Sequence, residues 1–266
     1  MALPPSPLCV ITGAAGGFGR ALALELARRK AHLVLSDVDV KGIEESAALA
    51  RGEGASSVRP VRCDVTKIDD WNALAASCEG PVDLLVNNAG VSSAGRVGEL
   101  PMEDWRWTLE VDLFGVIHGC HVFAPILRRQ GHGHVLNVAS AAGLLSPPFM
   151  GAYNVAKAGV IALSETLRAE FVGTDIKVTA ICPTFFKTNI ANSGRIADEK
   201  LRVRARGLVD GGKSADRIAR AAIESVDRGE LYALPMADAR WLWRVKRVVP
   251  AAFSSVAGHL GRRAAQ

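Results

Sequence analysis

Seven short runs of β-branched and apolar residues, at 8–12, 32–36, 57–63, 82–87, 134–139, 177–181 and 230–234, are each separated from the next by a stretch of helical periodicity. The helical stretches fall at 17–30, 40–51, 68–78, 102–129, 152–172 and 215–228. Strands separated in this way cannot pair as hairpins; crossovers must join them into a parallel sheet. The expected fold class is α/β, a doubly wound seven-stranded parallel sheet with helices on both faces. Ser214 and Gly229 punctuate the last helical stretch as N-cap and C-terminal glycine. A chain of 266 residues with 49% hydrophobic content can bury a sizeable core. No linker or repeat divides it, so residues 1–235 are expected to form one catalytic domain. Residues 236–266 then form a basic tail packing on that domain or on a partner.

The first strand runs into Thr12-Gly13-Ala14-Ala15-Gly16-Gly17-Phe18-Gly19 and then a helix. Glycines at such a strand-to-helix turn let the backbone approach a pyrophosphate, which free N–H groups and the helix dipole hold. Alone, such a turn is a weak signal, and a plain strand-to-helix loop is its competing reading. Eighteen residues beyond Gly19, Asp37 ends the second strand, where a carboxylate accepts hydrogen bonds from adenosine ribose hydroxyls. It would repel a 2′-phosphate, and neither the turn nor Val38 supplies a cation to neutralise one. The pattern therefore predicts a Rossmann-type dinucleotide site preferring NAD to NADP. The competing reading makes Asp37 a helix N-cap, a role Asp39 fills as well.

Tyr153 and Lys157 stand at i and i+4, so on a helix they share a face. A free phenol titrates near ~10, and a neighbouring ammonium favours the phenolate, bringing it toward the range where it exchanges a proton with an alcohol. Ser140, at the end of the fifth strand, can hydrogen-bond a substrate oxygen and stabilise charge developing there. The bland alternative is a surface Tyr/Lys pair beside an ordinary strand-end serine.

Four segments in this order, Thr12 to Gly19, Asn87-Asn88-Ala89-Gly90, Ser140 and Tyr153-Asn154-Val155-Ala156-Lys157, make the chain resemble the short-chain dehydrogenase/reductase family over roughly residues 8–235. The resemblance implies hydride transfer between an alcohol carbon and a nicotinamide, with Ser140, Tyr153 and Lys157 catalytic. It implies cofactor contacts from Thr12, Gly13, Gly17, Phe18, Gly19 and Asp37. Asp64 and Val65 match the family's adenine contacts, Asn88, Ala89 and Gly90 its supporting turn, and Pro183 and Thr188 its segment beside the nicotinamide; Tyr153 and Lys157 also face the cofactor, Lys157 at the ribose. Two positions depart from the pattern. Asp112 stands where the family carries an asparagine whose main-chain carbonyl joins a proton relay to the lysine; Asp112 keeps that carbonyl, and its charge would oppose the depression of the tyrosine pKa. Thr184 replaces a glycine and restricts the backbone at the pocket mouth.

The substrate wall is expected at 144–150, at Phe185 and Phe186, and in the polar, weakly helical segment beyond Thr188, running to 212. Its apolar character, with no arginine placed for a carboxylate or phosphate, points to a lipophilic secondary alcohol or ketone. Residues 236–266 hold six Lys/Arg and one Asp, an excess equal to the whole chain's net charge of +5. The body is neutral, and nucleic acid is not an expected partner. Arg240, Arg244 and Arg247 form a stripe beside Trp241, Val245 and Val248. This fits a helix packed over the pocket or a neighbouring subunit, or a weak peripheral contact with an anionic membrane surface. No single apolar run is long enough to span a bilayer, and the N-terminus lacks the positive region of a secretory signal. Five scattered cysteines suggest neither a disulfide framework nor a zinc site, and fit a reducing cytoplasm. His118, His121, His132 and His134 lack a carboxylate or cysteine cluster that would complete a metal site. By resemblance the chain is a homodimer or homotetramer packed through the fourth and fifth long helices. The alternative function is a non-catalytic NAD(H)-binding sensor or scaffold.

Overall fold

The structure, a computed structural model, describes residues 2–188, 194–196 and 198–265. The elements run β1 (Leu8–Thr12), α1 (Gly17–Ala27), β2 (His32–Asp37), α2 (Val40–Gly52), β3 (Ser57–Arg62), α3 (Ile68–Ala76), β4 (Leu84–Asn87), β5 (Ser93–Ala94) and α4 (Met102–Leu109). A π-helical turn, Glu110–Phe114, joins α4 to α5 (Gly115–Gln130), followed by β6 (His132–Val138), α6 (Ala141–Leu145), α7 (Gly151–Glu170) and β7 (Asp175–Ile181). The chain closes with β8 (Arg195–Ile196), α8 (Glu199–Asp210), α9 (Ala215–Asp227), β9 (Tyr232–Ala233), α10 (Ala237–Val248) and α11 (Pro250–Ala265).

Seven strands form one parallel sheet in the order β3-β2-β1-β4-β6-β7-β9. Alternate side chains enter opposite layers, as the two-residue period of a strand requires. Cys9, Ile11, Leu84 and Val86 face one layer with Leu22 and Leu26 of α1, Ile43 of α2 and Ile218 of α9. Val10 and Leu85 face the other, with Trp71 of α3, Phe123 and Leu127 of α5 and Val160 of α7. Each fully buried aliphatic side chain contributes about 1.5–3 kcal/mol. The winding reverses between β1 and β4, which opens a crevice at the carboxyl ends of the strands.

Several details differ from the sequence reading. Within the polar segment lie α8 and β8, the latter pairing with β5 in a separate two-stranded sheet. Ser214 occupies the N-cap position of α9 without a side-chain capping bond. The Met102–Gln130 helix is long and apolar enough, by length and composition, to cross a membrane, a property of the whole helix that no single apolar run discloses. Here its inner side, Val116, Cys120, Phe123 and Leu127, is buried against the sheet. At the start of α10, Met236 and Ala239 enter the first layer, and further along Trp243 packs against Tyr232 with the rings tilted and their centroids 5.1 Å apart.

Candidate active site

The glycine turn between β1 and α1 is tight on its inner side and open on its outer side. Gly13 has φ +65°, and a Cβ on Gly19 would lie 2.1 Å from the Gly13 carbonyl oxygen, so neither position accepts a side chain. At Gly16, by contrast, a Cβ would meet nothing within 4 Å. Asn88 braces the turn, its Nδ2 donating to the carbonyls of Thr12 (2.8 Å) and Gly13 (3.1 Å). The Thr12 hydroxyl accepts from the amides of Asn88 (3.0 Å) and Ala89 (3.1 Å) and donates to Val86 O. β1 and β4 are thus locked together at the reversal point. Thr188 reaches the same turn, its Cβ 3.8 Å from where a Gly17 Cβ would stand.

The Asp37 carboxylate accepts from the amides of Ala15 and Asp39, both at 3.1 Å, which sets it beside the turn. Asp39 caps α2 by accepting from Gly42 N at 3.0 Å, so Asp37 does not serve as the cap. Arg20, just past the turn, spends its guanidinium on Ala15 O (2.6 Å) and Ser46 Oγ (2.8 Å). Asp64 Oδ1 accepts from the Thr66 amide and hydroxyl; burial works to raise its pKa, but these bonds with Lys67 and Arg62 hold it below the usual carboxylate range. Two residues expected at the cofactor turn their side chains inward. Phe18 is buried edge-on against Phe186 at 5.1 Å, and Val65 packs in the second layer with its carbonyl taken by Trp71 and His118.

Ser140, Tyr153 and Lys157 converge where β6 ends. Ser140 stands two residues past the end of β6 and caps α6, accepting from Ala142 N (3.1 Å), while its hydroxyl reaches Pro183 O (3.5 Å). Tyr153 lies in the first turn of α7 and Lys157 one turn on, with Nζ 5.6 Å from the phenol ring centroid. Lys157 Nζ donates to Val138 O at 3.0 Å and stands 3.2 Å from Asp112 Oδ2, both side chains almost entirely buried. Asp112, on the π turn, accepts from Val91 N at 2.7 Å through its other oxygen. Gly90 lies over this pair: a Cβ there would be 3.4 Å from Asp112 Oδ1 and 3.6 Å from Lys157 Nζ.

The electrostatics correct one expectation. Burial raises the Tyr153 pKa and outweighs the opposing pull of Lys157 and the Ser140 hydrogen bond, while the Asp112 charge adds to the rise. The net direction is up, not down. Burial works against the Lys157 charge, but Asp112 and Tyr153 override it and hold the ammonium above its ordinary range.

The expected substrate wall is only partly a wall. Leu144 is buried in the second layer and Phe186 packs on Phe18, whereas Phe185 is exposed. Beside Phe149 opens a cavity of about 270 Å³ lined by Arg96, Glu99, Asp198 and Leu201 among others, a largely charged lining. Arg96 caps the Phe149 ring at 5.7 Å and pairs with Glu99 at 3.7 Å. Residues 189–193, part of the expected mouth, lie outside the described residues. The sequence reading missed Lys246, which reaches back to the residues after Ser140; no local motif marks it.

Residues 8–199 match the model of a family described as short chain dehydrogenase. The SadH protein of Mycobacterium tuberculosis (strain ATCC 25618 / H37Rv), described as an oxidoreductase, is 38% identical over 196 residues, covering 72% of this chain and 71% of its own. A short chain dehydrogenase/reductase from Burkholderia phymatum, crystallised in complex with NAD, superposes with a TM-score of 0.87 at 36% identity, covering 93% of this chain and 95% of that one. An alcohol dehydrogenase from the archaeon Thermococcus sibiricus, complexed with 5-hydroxy-NADP, gives a TM-score of 0.74 at 27% identity over 86% of this chain and 95% of that one.

Proposed function

Because the chain belongs to the short-chain dehydrogenase/reductase family and is an oxidoreductase with a nicotinamide dinucleotide as its cofactor class, we propose that it interconverts a secondary alcohol and a ketone, with Tyr153 as general acid/base and NAD preferred to NADP. The observation that carries this reading is the convergence of Ser140, Tyr153 and the buried Lys157 at the end of β6, in the same crevice as the glycine turn. Bound NAD supplies the hydride acceptor for oxidation and, reduced, the donor for the reverse.

The turn from Thr12 to Gly19 fits a pyrophosphate, open at Gly16 and closed beneath. Asp37 is placed to accept from ribose hydroxyls, and its charge disfavours a 2′-phosphate while Arg20 is engaged elsewhere. We assign Asp64 and the main chain of Val65 to the adenine edge, and Asn88, Ala89, Gly90, Pro183 and Thr188 to the nicotinamide side. In oxidation, Ser140 and Tyr153 hold the substrate oxygen, and the Tyr153 phenolate takes the hydroxyl proton as hydride leaves the carbinol carbon. Lys157, held charged by Asp112, stabilises that phenolate and contacts the ribose. Asp112 acts through Lys157 and is a positioning residue.

A lipophilic alcohol suits the apolar Phe185 and Met150 better than it suits the charged cavity beside Phe149. Residues 1–235 make the catalytic unit and 236–266 a tail folded onto it, as the burial of Met236 and Ala239 supports. Self-association through α4–α5 and α7 fits the exposure of Met102, Phe114 and Val155 on those helices. The outer face of α10, with Arg240, Arg244 and Arg247 near an exposed Trp241, fits at most weak contact with anionic lipid; sedimentation alone and with vesicles reads both. Five free thiols fit the reducing cytoplasm.

The test is purified protein with NAD, then NADP, against lipophilic and small polar secondary alcohols, followed by absorbance of the reduced nicotinamide. NAD-dependent turnover favouring the lipophilic set is expected. Cofactor binding with no turnover would replace this reading by a sensing or scaffold role.

A further inference from the structure

The loop between α6 and α7 carries two side chains in backbone conformations that disfavour them. Ser146 has φ +53° and Phe149 φ +66°, left-handed values that non-glycine residues keep only where their surroundings enforce them. The body of the fold supplies part of that restraint. Gly95 N donates to Phe149 O at 2.7 Å, and Asn154 Nδ2, one residue past Tyr153, donates to Pro147 O at 2.8 Å.

The remaining restraint comes from the far end of the chain. Lys246 Nζ, on the inner side of α10, donates to Leu144 O at 2.7 Å and to Ser146 Oγ at 3.1 Å. Its ammonium is partly buried, and burial pushes its pKa down. α11 closes over the same loop: a Cβ on Gly261 would lie 2.5 Å from Pro148 Cγ and 3.5 Å from Phe149 Cε2, so only a glycine allows this approach. The base of α10 is itself anchored, with Met236 Sδ accepting from Thr184 N and Oγ1 and Ala239 fully buried.

We infer that α10 and α11 form a brace on the 146–150 loop, with Lys246 its positioning residue, and that this C-terminal brace sets which secondary alcohol the site accepts. The inference rests on the dehydrogenase reading above. Lys246 binds Leu144 O and Ser146 Oγ and has no contact with Ser140, Tyr153 or Lys157 among its hydrogen bonds, so it acts on the wall and not on proton transfer. The brace spans about a hundred residues of sequence, which makes the wall a joint product of the catalytic domain and the tail.

The experiment compares full-length wild type, Lys246→Met and Lys246→Arg. Met keeps the length and loses both donated bonds; Arg keeps the donors. With NAD and straight-chain 2-alkanols from 2-butanol to 2-decanol, Lys246→Met is expected to raise the alcohol KM about three- to tenfold, the range set by losing such hydrogen bonds. It should flatten the preference along the series and leave kcat and the NAD KM within about twofold, while Lys246→Arg recovers most of the wild-type pattern. Amide hydrogen exchange at 146–150, measured without substrate, should accelerate in Lys246→Met and not in Lys246→Arg. Unchanged exchange, or a fall in kcat with KM and chain-length preference intact, overturns the inference. A wild type that turns over none of the alcohols contradicts the dehydrogenase reading instead, and the exchange measurement still decides whether the brace exists.

Discussion

Asp112 and Lys157 make the least expected contact of the site, a carboxylate and an ammonium 3.2 Å apart with almost no exposure to water. Burial works against both charges and raises the Asp112 pKa, while the ionised carboxylate favours the charged ammonium and opposes the phenolate. Replacing Asp112 by Asn removes that anion and, with Lys157 still protonated, lowers the phenol's pKa. The ascending limb of kcat against pH for alcohol oxidation, which follows phenolate formation, is therefore expected to move to lower pH in Asp112→Asn; a limb that stays in place in both Asp112→Asn and Asp112→Ala contradicts the assigned role. The residue types of this site were legible: the i, i+4 pair and the strand-end serine follow from spacing, and Asp112 follows from the resemblance to the family, where it replaces an asparagine. The direction of the tyrosine shift was not, because a sequence shows that a lysine is near and does not show how much water burial removes.

At the scale of elements, β6 and β7 carry a titration of their own. His134 is buried in β6, its Nε2 2.8 Å from Thr179 Oγ1, whose hydroxyl donates to Glu230 O; the ring therefore donates through Nε2 and stays neutral. Burial pulls its pKa down from 6.5 to about 3. A base with a depressed folded pKa binds fewer protons folded than unfolded, so its stability contribution is complete above about pH 6.5 and is lost as pH falls toward 3. Denaturant midpoints should report a loss of roughly 2 kcal/mol between pH 7 and 5, at up to ~1.4 kcal/mol per pH unit, and His134→Gln should remove that dependence. An equal slope in the variant would assign the acid sensitivity elsewhere. The same strands show why the main elements could be read in advance: continuous apolar runs such as Leu84 to Val86, buried on both faces, have no other place to go. β5 and β8 have two residues each, too few for a period, and the π turn at Asp112 arises inside an unbroken helical pattern.

For the whole molecule, the parallel sheet followed from the alternation of elements and packing of the tail on the domain was among the expected placements, while the residues that hold it there were not legible. The Lys246–Leu144 bond joins residues 102 apart, and nothing local at either end announces it. The basic excess of 236–266 drew attention to the outside of α10, yet the contacts that fix the helix, Met236, Ala239, Trp243 and Lys246, lie on its inside. Function here depends on whether the crevice brings three separate segments, the glycine turn, Ser140 and α7, to one reacting centre. Tyr153→Phe tests that most directly, since it removes one oxygen from the proposed proton carrier and leaves the cofactor cradle intact. With NADH titrated by fluorescence and turnover followed in the same preparation, the variant is expected to bind NADH within about threefold of wild type while kcat falls ~10²–10⁴-fold, the range for a lost general acid/base. Turnover near the wild-type rate would remove Tyr153 from the chemistry and, with it, the account given for this site.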